Sequence, residues 1–185
     1  MAAPRSIDAL LDEVRTSHEA LESTADEAER IGTAPDALVE TMRRLRTPMV
    51  KVPIEVGGDQ LGLADQMRYF EALSYSNPTA GWIGFNHAGV AGLVAALFQE
   101  SCLDEVFGAN PAPLLAGVAT PSGTFEFVRG GLRATGTYHY ASGVRHADWI
   151  MVPAIESADS GSVRLLVIPA DNTNIGGEWD VMALQ

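Results

Sequence analysis

Apolar residues recur every three or four positions through the first half of the chain, and the pattern shortens to β-type alternation after Leu114. Ile7, Leu10, Leu11, Val14, Leu21, Ala25, Ala28 and Ile31 lay one apolar stripe along a single long helix, with Asp12, Glu13, Glu22 and Asp26 largely off it. Ser6 is its expected N-cap and Gly32 its stop. Thr33, Pro35 and Asp36 open a second helix that turns Leu38, Met42 and Leu45 inward. Arg43, Arg44 and Arg46 crowd its last turn, where the helix dipole favours cations, and Pro48 ends it. Residues 50–58 read as an irregular loop with Pro53 and a Gly57-Gly58 turn. A third amphipathic helix runs from about Leu63 to Tyr75. Asn77-Pro78 breaks the chain and restarts it as an almost wholly apolar helix over 78–98. A short helix around 101–107 and a rigid loop over 108–113 close the helical part.

The second part predicts strands. Residues 114–119 form a buried strand. Residues 124–129 alternate, turn at Gly130-Gly131 and return through 132–135, which is a hairpin pattern. Residues 138–142, 149–155 and 163–169 are three more strands, and 179–184 a last one. The expected fold class is α+β: a helical domain over residues 1–111, then a small antiparallel β-barrel-like domain over 112–185.

With 185 residues, 46% apolar and 19% charged, the composition is ordinary for one or two soluble domains. The net charge of -12 argues against nucleic acid, whose phosphates need clustered cations. Lys51 is the single lysine, and most arginines precede Tyr69. Cys102 is the single cysteine, so no internal disulfide forms, in keeping with a reducing cytoplasm. It reads as buried filler at a helix start rather than a reactive thiol. The N-terminal MAAPRSIDALLDEV lacks the apolar run of a signal peptide. Residues 78–98 approach the length of a membrane span. Asn86 and His87 at their centre and four glycines, at 81, 84, 89 and 92, point instead to a buried, tightly packed helix and no membrane association.

Several segments converge on one family. Pro53-Ile54-Glu55-Val56-Gly57-Gly58 is similar to its P-x-x-x-G-G turn, and Glu71 to Trp82 to its helix-to-helix step. Gly136-Thr137, Ala141-Ser142-Gly143, Trp149 and the strand over 179–184 carry the β part. In this order and spacing the chain resembles, over roughly residues 10–185, the N-terminal and middle domains of the acyl-CoA dehydrogenase superfamily. Ala119-Thr120-Pro121-Ser122-Gly123 lacks the acid of the dehydrogenases' T-E-P-x-x-G turn. The Tyr140-Ala141-Ser142-Gly143-Val144-Arg145-His146-Ala147 run, with Asn86-His87, is closer to the two-component flavin monooxygenases.

That resemblance implies a flavin, FAD or FMN, held on the middle domain by Val118, Ala119, Thr120, Tyr140, Ala141 and Ser142. It implies His87 and Ser142 as catalytic groups that stabilise the flavin–oxygen adduct, and His146 at the substrate rim. The implied partners are a flavin reductase, an aromatic or acyl-CoA substrate, and other subunits, as a homotetramer or a hetero-oligomer. The family's four-helix bundle would lie beyond Gln185, so the chain is expected to be a fragment or half-enzyme. Two alternatives stand beside this: an FAD-dependent acyl-CoA dehydrogenase with its carboxylate base beyond residue 185, and a non-catalytic half that binds a partner subunit. Read without the family, Thr120 and Ser142 satisfy turn backbone groups. His87 is then a core histidine, and His146 makes a hydrogen bond across a strand turn. His139 alternates with its tyrosine neighbours and faces the other side of its strand. His18 is exposed.

No metal site is expected of His87, His139 and His146, which lack short ligand spacings. Ser122-Gly123 and Ser142-Gly143 lack the strand-to-helix setting of a nucleophile elbow. No Gly-x-Gly-x-x-Gly supports a dinucleotide fold.

Overall fold

The structure, a computed structural model, describes residues 3–158 and 161–176. The apolar stripe of the first segment is present, but the single long helix is not. The chain forms α1 (Ile7–Thr16), α2 (His18–Glu22) and α3 (Ala25–Ile31). The Thr24 hydroxyl donates to the Leu21 carbonyl at 2.7 Å, and the Asn77 amide donates to the same carbonyl at 2.8 Å. Side chains thus take a backbone acceptor that a continued helix would use, and the helix breaks there. Ser6 caps α1 by accepting from the Ala9 amide at 3.3 Å. Gly32, at φ 66, stops α3 in the left-handed conformation that glycine adopts without cost.

Helix α4 (Asp36–Arg44) buries Leu38, Val39 and Met42. It stops before Pro48, because Arg46 turns into the left-handed region at φ 52. Pro48 lies in a 3-10 turn over Thr47–Val50. Helices α5 (Leu63–Ser76), α6 (Pro78–Leu97) and α7 (Glu100–Gly108) follow as expected. The Asn77 side chain caps α6 by accepting from the Ala80 amide at 3.0 Å. Among the described residues α6 is the one helix long and apolar enough to cross a membrane. Its place is the protein core: half of its apolar stretch is buried, against α5, the 3-10 turn and the sheet. A Cβ at Gly81 would strike Ser74 of α5, and one at Gly84 would come within 2.8 Å of Thr47 Cγ2. Small residues let these elements approach closely.

Five described strands form one mixed sheet: β1 (Leu115–Gly117), β2 (Gly123–Val128), β3 (Gly131–Gly136), β4 (Trp149–Glu156) and β5 (Val163–Pro169). Only the β2–β3 hairpin and the β4–β5 pair are antiparallel; β1 and β2 both run parallel to β4. The sheet is therefore not the antiparallel one expected, and among the described residues its strands do not close into a barrel. β1 and β2 share one edge of β4 in tandem. Leu115 to Gly117 face Trp149 to Met151, and Gly123 to Phe125 face Ala154 to Glu156. Val118 to Ser122 bulge out between them. Odd-numbered β4 residues Trp149 and Met151 pack on the helices. Even-numbered Ile150, Val152 and Ala154 form the core of the other face, with Phe125, Leu166 and Val118. Residues 138–142 are not a strand. Tyr140 has φ 66, which an extended strand does not allow, and the segment packs Tyr138 and Ala141 onto that second face. The strand expected over 179–184 lies outside the described residues.

Candidate functional site

The bulge over residues 118–122 and the irregular segment over 138–147 meet on one sheet face. Val118 is buried there, and Ala141, Val144 and Ala147 pack against the same cluster. Tyr138 anchors the segment by donating its hydroxyl to the Pro153 carbonyl at 3.2 Å, opposite the bulge. Gly123 makes room for that ring, since a Cβ would land on the Tyr138 hydroxyl. Interruption of the ladder leaves polar groups unspent. The Val118 amide still reaches the Met151 carbonyl at 3.1 Å, but the amides of Ala119 and Thr120, both exposed, donate to nothing among the described residues. The half-buried Ser142 hydroxyl is likewise unpaired there, while Tyr140 is 79% exposed. Of the expected residues, Val118 and Ala141 share this cluster, brought together by a strand break and a loop rather than by two strand ends; Ala119 and Thr120 follow Val118 in the exposed bulge, and Ser142 follows Ala141 in the loop. His139 is exposed beside Tyr140, their ring centroids 6.2 Å apart.

His87 sits below this surface, not on it. Its side chain is fully buried on α6, and Nδ1 donates to the Leu115 carbonyl of β1 at 2.9 Å. A carbonyl only accepts, so the proton is on Nδ1 and Nε2 carries a lone pair. That Nε2 has no partner among the described residues. Gly143 covers it: a Cβ there would lie 2.8 Å from Nε2. Burial lowers the His87 pKa to about 4, because a charged ring in this apolar setting loses its hydration.

His146 is tied to the helical part of the chain. Its Nε2 hydrogen-bonds the Thr33 hydroxyl at 3.0 Å, and its ring lines a cleft of about 360 Å³ with Glu27, Ile31, Pro35 and Asp36. Ser142 does not line that cleft. Burial lowers the His146 pKa as well. His18 opens α2 and contacts the Ser76 hydroxyl at 3.1 Å.

Two residues that hold this site in place carried no signal on their own in the sequence. Asp148 accepts from Arg43 at 2.7 and 3.0 Å, from the Leu114 amide at 2.7 Å and from Asn110 at 3.3 Å. Its own amide donates to the Leu114 carbonyl at 2.8 Å. Arg43 also donates to the His146 carbonyl at 3.4 Å. Arg43 is therefore a clamp from α4 onto the sheet, not merely a cation at a helix end.

The buried neutral histidines set a pH dependence. An unfolded histidine binds a proton near pH 6.5, whereas folded His87 resists protonation down to about pH 4. Below pH 6.5 the unfolded state binds more protons, so stability falls with pH across the window from 6.5 to 4. His87 alone is expected to remove about 2 kcal/mol between pH 7 and 5, and His146 adds in the same direction. ¹⁵N-resolved histidine spectra check this directly. His87 should keep its Nδ1–H tautomer at pH 5; a signal titrating near 6.5 contradicts it.

No family model matches the chain. The chain is 25% identical over 183 residues to the pigment production hydroxylase of Rhodococcus erythropolis, across 95% of this chain and 46% of that protein. To HsaA of Mycobacterium tuberculosis, the oxygenase subunit of a flavin-dependent monooxygenase, it is 28% identical over 185 residues, 97% of this chain and 44% of HsaA. Among solved structures it is similar to XiaF from Streptomyces sp. in complex with FADH2 and glycerol. The TM-score is 0.88 at 26% identity, over 96% of this chain and 46% of XiaF. The α+β fold with its mixed sheet matches that fold. The chain spans about half the length of the curated relatives it matches.

Proposed function

We propose that this chain forms part of a flavin-dependent monooxygenase that takes reduced flavin from a separate reductase and hydroxylates an aromatic substrate. The observation that carries the reading is the likeness, along 96% of the chain, to a protein in complex with FADH2. The names of the relatives, a hydroxylase and a monooxygenase, favour oxygenation over acyl-CoA dehydrogenation or a purely non-catalytic half.

The residues present suit a flavin. The unspent amides of Ala119 and Thr120 offer donors to the carbonyl oxygens of its pyrimidine edge. The Ser142 hydroxyl offers one more polar contact beside them. Val118 and Ala141 supply apolar surface. Reduced flavin, when bound, supplies the electrons for O2 activation. His87 enters as an acceptor. Held as the Nδ1–H tautomer by Leu115, it takes a hydrogen bond at Nε2 and has no proton to give there at neutral pH. Reaching Nε2 requires residues 141–143 to shift, since Gly143 covers it. Tyr140 and Gly143, both at positive φ, mark the two ends of that short segment. In this reading the helical residues 1–111 and the strand-bearing residues 112–185 act as two units, with the flavin on the second.

Anaerobic titration with photoreduced FAD or FMN tests the reading. Saturable binding is expected, weakened about fivefold by Ser142→Ala, consistent with loss of one hydrogen bond of roughly 1 kcal/mol. No binding of either reduced flavin, by the chain alone or joined to the carboxyl-terminal half of XiaF, would sink it.

A further inference from the structure

A second feature lies on the far side of α6. Lys51 and the helix face formed by Phe85, Asn86, Gly89, Val90 and Leu93 enclose an open groove of about 490 Å³. Among the described residues four Lys and Arg side chains are not exposed: Arg5, Arg43, Arg46 and Lys51. Arg5 holds Asp59 and Glu13, Arg43 holds Asp148, and Arg46 holds the Gly57 carbonyl. Lys51 alone of these has neither a carboxylate within ion-pair distance nor a hydrogen bond among the described residues. Its ammonium lies 4.0 Å from the Phe85 ring centroid and 5.2 Å from that of Phe70. Those ring faces attract a cation but leave its hydrogen-bond donors unused. Partial burial lowers the Lys51 pKa, which reflects this incomplete solvation.

The groove is shaped around that ammonium. At Gly89 even a Cβ would reach within 3.9 Å of Nζ, so the glycine leaves open space beside the charge. Asn86 spends its amide nitrogen on the Trp82 carbonyl at 2.8 Å, which leaves its carbonyl oxygen free to accept. The remaining walls, Phe85, Val90 and Leu93, are apolar, and Phe85 and Leu93 are about half exposed, at 48% and 49%. An unpaired ammonium beside an apolar trough matches a flat apolar molecule that carries an anionic group.

We propose that this groove binds an aromatic carboxylate, whose anionic oxygens take up the free donors of Lys51 while its ring lies along Phe85, Val90 and Leu93. The site needs no flavin and stands apart from the oxygenase reading. Val90 is shared between the groove and the sheet: it packs on Gly117, one residue before the Val118 bulge.

The single lysine makes the test direct. ¹³C-lysine-labelled chain has one lysine side chain to report, that of Lys51. Titration with 2-naphthoate should shift its Cε resonance saturably, and the neutral isostere 2-naphthamide should bind at least tenfold more weakly. Lys51→Met should abolish the preference for the acid, Lys51→Arg should retain it, and Gly89→Leu should weaken naphthoate at least tenfold with Lys51 intact. Circular dichroism and thermal melts identify variants that fold; Gly89→Leu keeps the test alive if Lys51→Met does not. An unshifted Lys51 resonance, equal affinity for acid and amide, or naphthoate binding unchanged in Gly89→Leu overturns the proposal.

Discussion

Replacing Asp148 with alanine is expected to destabilise the chain by about 3–4 kcal/mol, the larger of the two strongest effects foreseen. The carboxylate is the common acceptor for a bidentate arginine, a backbone amide and an asparagine. Removing it strands the Arg43 guanidinium and the Leu114 N–H together. Truncating one partner of a fully buried pair costs about 3–5 kcal/mol; the pair here is about one-third exposed, at 31% and 34%, and solvent screening brings its share down to about 2 kcal/mol. The orphaned Leu114 amide adds about 1–2 kcal/mol. Asp148→Asn keeps the shape and an acceptor for Leu114 and should cost about half as much. Arg43→Met combined with Asp148→Ala should cost less than the sum of the two changes, because the second removes a charge that the first already unpaired. Urea unfolding of the four proteins decides it. Additive effects, or a loss below 1 kcal/mol for Asp148→Ala, would show that the clamp does not tie α4 to the sheet.

That clamp marks the limit of what the chain's pattern reveals. Elements defined by neighbours in sequence were legible: Ser6 as a cap, Gly32 as a stop, the restart of the helix at Asn77-Pro78, the Gly130-Gly131 hairpin, and α6 as a core helix rather than a span. Elements decided by distant residues were not. The first segment breaks between α2 and α3, where Asn77, 56 residues away, takes the Leu21 carbonyl. Residues 138–142 alternate like a strand, yet the partner edge of β4 is already filled by β1 and β2, so the segment folds over the sheet face instead. Parallel pairing has no turn to announce it. The expected residues Thr120 and Ser142 do carry unspent polar groups, but His87 and His146 face partners that no spacing implied: Leu115, Gly143 and Thr33.

Gly143→Ala is the second large effect, expected at about 2–4 kcal/mol, and it separates two causes. The residue has φ 77, where a Cβ costs about 1–2 kcal/mol by itself. Here the Cβ would also sit 2.8 Å from His87 Nε2, 2.9 Å from Cε1 and 3.2 Å from Ile83 Cγ2. Overpacking by a single methyl adds about 1–2 kcal/mol, the lower part of the usual range. The ring cannot simply swing away, because its Nδ1–H is committed to Leu115. Gly130→Ala is the control: φ is 93, but nothing lies within 4 Å of the new Cβ, so only the backbone cost of about 1–2 kcal/mol should appear. The excess of Gly143→Ala over Gly130→Ala then measures contact with His87. If the ring is the obstacle, His87→Ala should relieve it, and the double variant should be at least 1 kcal/mol more stable than the two single losses predict. Chemical denaturation at pH 7 reads all four values with His87 neutral. Additivity would place the obstruction elsewhere and remove the argument that Gly143 is the cover over the His87 lone pair. Strong coupling would identify Gly143 as the residue that covers that lone pair.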